Sequence, residues 1–377
     1  MGQGTLLKAK NPRPDRNFEL EVTMNIKSLL LGSAAALAVV SGAQAADAIV
    51  AAEPEPVEYV RVCDAYGTGY FYIPGTETCL KIEGYIRFQT DFTFGDLADN
   101  GGGEDWSART RGQVAFTAKS DTEYGPLTGV IVYQANFRPN GVANSQDDQN
   151  DTVIDEAYID LAGFRVGKFV NWWDADFSGE TEVINNNTNF NAIRYQYDSG
   201  DFYAGIAVEE LTRTGGDVVP LDNGGNNIGI DAAVGGKFGA LSWELLGGYD
   251  LDRADGAIRG IIYADIGPGT FGLAGVWASG PSDYYDNGEW AIAAQYAVKA
   301  TDKFTITPAV QYTNNIDVDG EDDFDGGSEW RAGVTLDYEI VENLTTKVTV
   351  NYISQDHDNG DEDEDGVTGF FRLQRSF

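Results

Sequence analysis

From Lys81 to Phe94 the chain reads KIEGYIRFQTDFTF, with Lys81, Glu83, Tyr85, Arg87, Gln89, Asp91 and Thr93 at odd positions and Ile82, Gly84, Ile86, Phe88, Thr90, Phe92 and Phe94 at even ones. Successive side chains of an extended strand leave opposite faces, so a period of two predicts a strand. One face asks for water and the other for hydrocarbon. A lumen and a lipid bilayer supply that pair, and so does an antiparallel sheet half-buried on a soluble core. One strand does not choose between them.

The pattern continues. Alternation returns from Trp106 to Lys119, with Arg109 and Arg111 on one side and Val114 and Phe116 on the other. It recurs near 127–138, 152–162, 164–169, 190–198, 202–210, 227–238, 241–251, 256–266, 270–279, 288–299, 304–313, 328–339, 344–355 and 367–377, sixteen segments in all. Some are clean: Phe304, Ile306, Val310 and Tyr312 oppose Thr305, Thr307, Gln311 and Thr313. Others are not; Asp155 falls on the greasier side of its segment, and Pro308 cannot donate to a ladder and suggests a bulge. Seven connections are short, and the other eight are mostly long and acidic, the two kinds alternating along the chain. An even strand number, apolar-out alternation, and short turns at one end with long loops at the other predict an all-β fold, a transmembrane antiparallel β-barrel of about sixteen strands. A soluble sandwich gives no reason for that parity.

The front of the chain differs from the rest. From Met24 it reads MNIKSLLLGSAAALAVVSGAQA, with Lys27, an apolar run from Leu29 to Val40, and Ala43-Gln44-Ala45 in the small-x-small pattern of a cleavage site. Twelve apolar residues are too few to cross a bilayer core as a helix. The expected division is an over-long start at 1–23, a signal peptide at 24–45, a periplasmic segment at 46–80 and the barrel at 81–377. Within 46–57, Glu53-Pro54-Glu55-Pro56 reads as an extended linker. Cys63 and Cys79 enclose fifteen residues rich in Gly and Pro turn signals. In an exported protein the simplest state of such a pair is a disulfide; two cysteines at this spacing without a nearby histidine form neither a CxxC motif nor a zinc set.

Charge and chemistry narrow the function. After 1–45 is removed, 20 basic residues face 57 acidic ones, a net of about −37 that excludes nucleic acid as a partner. The single histidine, His357, sits in an acidic loop without an identifiable nucleophile to serve, and no phosphate loop or metal set is present, so neither an enzyme nor a cofactor is expected. Asp361, Asp363, Asp365 and Gly366 fit the first half of a calcium loop, but position twelve is Arg372 where a glutamate is required. A plain acidic rim is one reading, and weak divalent-cation binding that bridges to lipopolysaccharide phosphates is the other.

The signal sequence followed by VEYVRVCDAYGTGYFYIPGTETCLKIEGYIRF at 57–88 resembles the start of the alphaproteobacterial general porins, and the last strand, ending in Phe377, is similar to theirs. The resemblance implies a homotrimer of sixteen-stranded barrels in the outer membrane, among its lipids and lipopolysaccharide, passing small hydrophilic solutes. It also implies a third loop folded into the barrel, which would set Asp174, Asp176, Glu180 and Glu182 opposite Arg87, Arg109, Arg111 and Arg372. Such a transverse field sorts solutes by charge and dipole; a solvated external loop is the alternative. Phe377 resembles the terminal tag read by barrel-assembly machinery. The acidic excess points to a cation-preferring pore. A substrate-specific channel and a non-conducting, adhesin-like surface barrel remain as alternatives.

Overall fold

In the computed structural model the described residues are 60–100, 106–137, 152–211, 227–320 and 322–377; the expected start, signal peptide and Glu-Pro linker lie outside them. The barrel strands are β1 Cys79–Gly95, β2 Trp106–Thr122, β3 Gly125–Phe137, β4 Thr152–Leu161, β5 Phe164–Val170, β6 Asn189–Asp198, β7 Phe202–Leu211 and β8 Asn227–Phe238. They continue as β9 Leu241–Asp250, β10 Asp255–Ile266, β11 Gly269–Ala278, β12 Trp290–Thr301, β13 Phe304–Asn314, β14 Ser328–Val341, β15 Leu344–Asp356 and β16 Glu364–Ser376. Each pairs antiparallel with its sequence neighbours, and β16 pairs with β1 from Gly366 opposite Gly95 to Ser376 opposite Tyr85. Phe377 finishes the seam, its N–H donating to the Gly84 carbonyl at 2.9 Å and its carbonyl accepting from the Gly84 N–H at 3.0 Å. Closure of this kind leaves no sheet edge for lipid to meet.

The turns at the periplasmic end are tight. Ala162 and Gly163, with φ of 54° and 86°, are the whole connection between β4 and β5, the doubly positive geometry that suits a two-residue hairpin. The external connections are longer, except 251–254, which is a short turn. Two local expectations need correction or explanation. Asp155 is the extra residue of a bulge, since Val132 lies opposite Glu156 and Tyr133 opposite Ile154. The bulge turns it to the lumen, where it accepts from Gln113 Nε2 at 3.2 Å. Pro308 has no bulge: it lies in register opposite Val334, and the irregularity in this region falls at Lys299/Thr301 instead.

Outward side chains are apolar and exposed, with aromatic residues gathered toward both rims, as a bilayer requires. Trp277, Trp290, Trp330 and Tyr352 stand near the external rim, and Tyr195, Tyr197, Phe238 and Tyr338 near the periplasmic one. Neighbouring strands stack them, with Tyr312 and Trp330 ring centres 4.8 Å apart. Cys63, ahead of β1, and Cys79, its first residue, form a disulfide whose lobe carries the short strand Phe71–Tyr72. Lys119 of β2 lies over the Tyr66 and Tyr70 rings at 5.8 and 5.6 Å, and the Tyr66 hydroxyl donates to Asp121 at 2.7 Å.

Candidate functional site

Residues 171–188 connect β5 to β6, and they run inside the barrel because the inward face of β7–β15 is made to receive them. Part of that face is small: Ala207, Ala233, Ala257, Ala278 and Ala291 are inward and buried against Trp172, Trp173 and Tyr284. A methyl group at Gly229 or Gly248 would overlap Tyr284, so glycine is required at both positions. Elsewhere on that face, uncharged polar groups take up the loop's own backbone. Gln295 Oε1 accepts from Gly179 N at 2.9 Å, Gln311 Oε1 from Val183 N at 2.8 Å and Thr335 Oγ1 from Glu180 N at 3.1 Å. Asn351 Nδ2 donates to the Glu180 carbonyl at 2.9 Å. A loop that leaves the solvent must satisfy its backbone elsewhere, and these strands supply the partners.

The loop opens on a short 3-10 turn, Trp172–Asp174, capped by Asn171, whose side chain accepts from Trp173 N at 3.0 Å. Arg259 of β10, wholly buried, holds this hinge: its Nη1 donates to the Trp173 carbonyl at 2.8 Å and its Nη2 to the Trp172 carbonyl at 3.0 Å. Its guanidinium also lies 5.2 Å from the Trp173 ring centre. Farther along, the Phe177 and Tyr263 rings meet edge to face, and the Tyr263 hydroxyl donates to the Asp176 carbonyl at 2.8 Å.

The four loop carboxylates are not equivalent. Glu180 is tied to the wall by Lys347 at 2.9 Å and Arg372 at 3.2 Å. Asp174 accepts from Thr188 Oγ1 at 2.9 Å and Asp176 from Asn185 Nδ2 at 2.7 Å, both bonds staying within the loop. Glu182 accepts from Phe177 N at 3.0 Å. Burial pushes Asp176 up to about 6 and Glu182 up to about 7, with Arg259 and the Asn185 bond opposing the first shift. Below the loop a space of about 700 Å³ is lined by Asp176, Glu182, Tyr263, Lys299, Asp337 and Lys347.

Of the four arginines singled out from the sequence, Arg372 is brought to the loop, and its Nε also donates to Gln89 at 2.6 Å. Arg87 and Arg111 stand opposite one another on β1 and β2, donating to Gln374 at 2.8 Å and Asn136 at 2.7 Å. Arg109 lies 3.7 Å from Asp91. Sequence reasoning missed Arg259, Lys347 and the Gln and Asn side chains that seat the loop. The Gln and Asn side chains left a signal, uncharged polar residues at inward positions of β12–β15; Arg259 and Lys347 left none.

At the external rim Asp361, Asp363 and Asp365 are not brought together as a calcium loop would need. Asp361 accepts from Asn359 Nδ2 at 2.9 Å, Asp363 from His357 N at 3.0 Å, and Asp365 lies on β16. Among the described residues no three His, Cys, Asp or Glu side chains are grouped to hold a metal. His357 instead bonds Asp317 at 2.6 Å, and Asp317 also accepts from Asp358 N at 2.7 Å, tying two loops. Burial works against the imidazolium, but the Asp317 carboxylate outweighs it and raises the histidine pKa.

Residues 47–371 match the family described as the porin subfamily. The chain is 57% identical over 303 residues to outer membrane protein IIIA of Rhizobium leguminosarum bv. viciae, covering 76% of this chain and 79% of that protein. It is 40% identical over 294 residues to porin Omp2b of Brucella canis, covering 75% and 72%. Among solved structures, the outer membrane channel DcaP of Acinetobacter baumannii superposes with a TM-score of 0.61 at 12% identity, covering 81% of this chain and 99% of that one. The trimer form of OmpT of Vibrio cholerae gives a TM-score of 0.56 at 12% identity, covering 80% and 100%. At such identities the structural likeness speaks for the fold alone.

Proposed function

Because the chain belongs to the porin family and resides in the bacterial outer membrane, we propose that its barrel is a water-filled channel for passive diffusion of small hydrophilic solutes and ions, with the inward loop as its constriction and a preference for cations. The observation that carries this reading is the seating of residues 179–183 on Gln295, Gln311, Thr335 and Asn351. A sixteen-stranded barrel is too wide for side chains to fill, so a loop held across the lumen sets the narrowest passage. Asp174 is exposed on it and Asp176 lines the space beneath it, while Arg87, Arg109 and Arg111 stand on β1 and β2. Opposed charges across a narrow passage give a transverse field, and the acidic external loops add a negative mouth.

Conductance of purified protein in a planar bilayer tests the reading. A general pore gives ohmic steps that do not saturate with solute; saturation would point to a substrate-specific channel, and no conductance to a non-conducting surface barrel. Assembly as a homotrimer is part of the same proposal, supported by the trimer form of the structurally similar OmpT of Vibrio cholerae. Monomer alone in mild detergent at every concentration would contradict it. Phe377, seated on Gly84 at the seam, is proposed as the residue read by barrel-assembly machinery. Its removal should slow assembly while leaving the finished channel's conductance unchanged.

A further inference from the structure

The hinge of the inward loop rests where buried polar groups outnumber their partners. Glu209 on β7 and Asp231 on β8 are inward and diagonally adjacent, since Ala207 lies opposite Asp231 and Glu209 opposite Gly229, and they are only 1% and 0% exposed. Glu209 Oε2 accepts from Asn171 Nδ2 at 3.3 Å. Its Oε1 and both Asp231 oxygens meet no donor in full hydrogen-bonding geometry, though Trp173 Nε1 lies near Asp231. The Tyr284 hydroxyl faces Glu209 in the same incomplete way, and Asn227 Oδ1 and Asp250 Oδ2 also make no hydrogen bond in full geometry.

Nearby cations are committed elsewhere. Arg259 serves the Trp172 and Trp173 carbonyls and reaches Glu244 at 3.5 Å, and Arg194 lies over the Phe169 and Trp172 rings at 4.9 and 5.0 Å. Asp250 has Arg253 at 4.0 Å. Among the described residues no ion pair reaches Glu209 or Asp231. Burial and these two carboxylates push the Tyr284 phenol up, so it remains a protonated donor. Two ionised carboxylates in a dry pocket without a counter-ion are far costlier than one ionised and one neutral.

We propose that Glu209 and Asp231 are positioning residues of the constriction: the pair retains one proton, and the hinge from Asn171 to Asp174 stays seated only while that proton is held. The proposal rests on the reading of the inward loop as the constriction. Protonation removes one of two repelling charges and provides a donor for an orphan oxygen. Losing the proton places a second negative charge beneath Trp173 and Asn171 and loosens the loop without touching the residues that line the passage.

Two measurements test it. Infrared difference spectra of the purified protein between neutral and alkaline pH should show loss of a protonated-carboxyl C=O band that is absent from E209Q and D231N; this readout does not depend on conduction. In single-channel records, loop excursions in the wild type should rise about tenfold per pH unit through the transition, as release of one proton requires, and E209Q should hold the steady state across the range. Equal spectra in all three proteins, or excursions in E209Q that follow pH as in the wild type, would overturn the assignment. Excursions produced by a chelator at fixed pH, and not by alkali, would overturn it in favour of a bound cation.

Discussion

The two sides of the barrel lumen are built from different chemistry. On β1 and β2 the inward face carries Arg87, Arg109 and Arg111, half-buried, with Arg87 on Gln374, Arg111 on Asn136 and Arg109 near Asp91. On β12–β15 the inward face carries Gln295, Thr307, Gln311, Thr335, Thr349 and Asn351, all buried, because the loop lies on them. Both faces read as polar in the sequence. The difference shows that an inward polar position does one of two jobs, facing the lumen or satisfying the loop's backbone; Gln295, Gln311, Thr335 and Asn351 do the second with neutral groups, and Arg259 and Lys347 do it with cations.

The comparison is broken most severely at Arg259. Replacing it with alanine removes the donors to two hinge carbonyls and leaves them buried, at a cost of about 3 kcal/mol. R259A should lower the thermal unfolding temperature and replace steady conductance with multiple levels, whereas R87A should change selectivity and leave stability nearly unaltered. A stability effect of similar size, confined to the N-terminal lobe, is expected at the disulfide. Reducing the Cys63–Cys79 bridge should cost the N-terminal lobe roughly 3 kcal/mol in the chain-entropy model, but the barrel, closed by its own ladders, should keep its mobility in semi-native electrophoresis. Removal of one neutral seat, Q311A or N351A, should cost about 1 kcal/mol each and raise current noise modestly. The finest test uses pH. Asp176 and Glu182 lie on the loop with pKa values pushed up by burial to about 6 and about 7. A carboxylate with a raised pKa loses its charge as pH falls through that value. Cation preference should therefore decline between about pH 7 and pH 6, above the range in which ordinary carboxylates titrate; a decline confined to lower pH would remove these two residues from the passage.

Most of the fold was legible because a period of two over a dozen residues leaves little freedom: every barrel strand among the described residues was located, with ends displaced by a few residues where turns, not alternation, decide the boundary, while the two-residue strand Phe71–Tyr72 carries no such pattern and was not. The bulge at Asp155 could be sensed only as a flaw in the pattern, since the residue that resolves it, Tyr133, is on the neighbouring strand. Pro308 misled for a related reason; a missing donor need not shift the register. The site was less legible. The acidic run from Asp174 to Glu182 marks a candidate loop, but which acid meets which cation depends on contacts as remote in sequence as Glu180 with Lys347. Arg259 and the Glu209–Asp231 pair were invisible because, along the chain, each is simply an inward polar residue on a strand.

The central claim is that the inward loop sets the ionic preference of the pore, and the reversal potential across a salt gradient tests it most directly. Three proteins should be compared: the wild type, a loop variant with Asp174, Asp176, Glu180 and Glu182 neutralised together, and a rim variant with the seven acids from Asp356 to Asp365 neutralised. The wild type should prefer cations, less so as salt is raised and the mouth potential is screened over about 8 Å at physiological strength. The loop variant should lose more of that preference than the rim variant, although it changes fewer charges. An anion-preferring wild type, or a loop variant indistinguishable from it, would contradict the account.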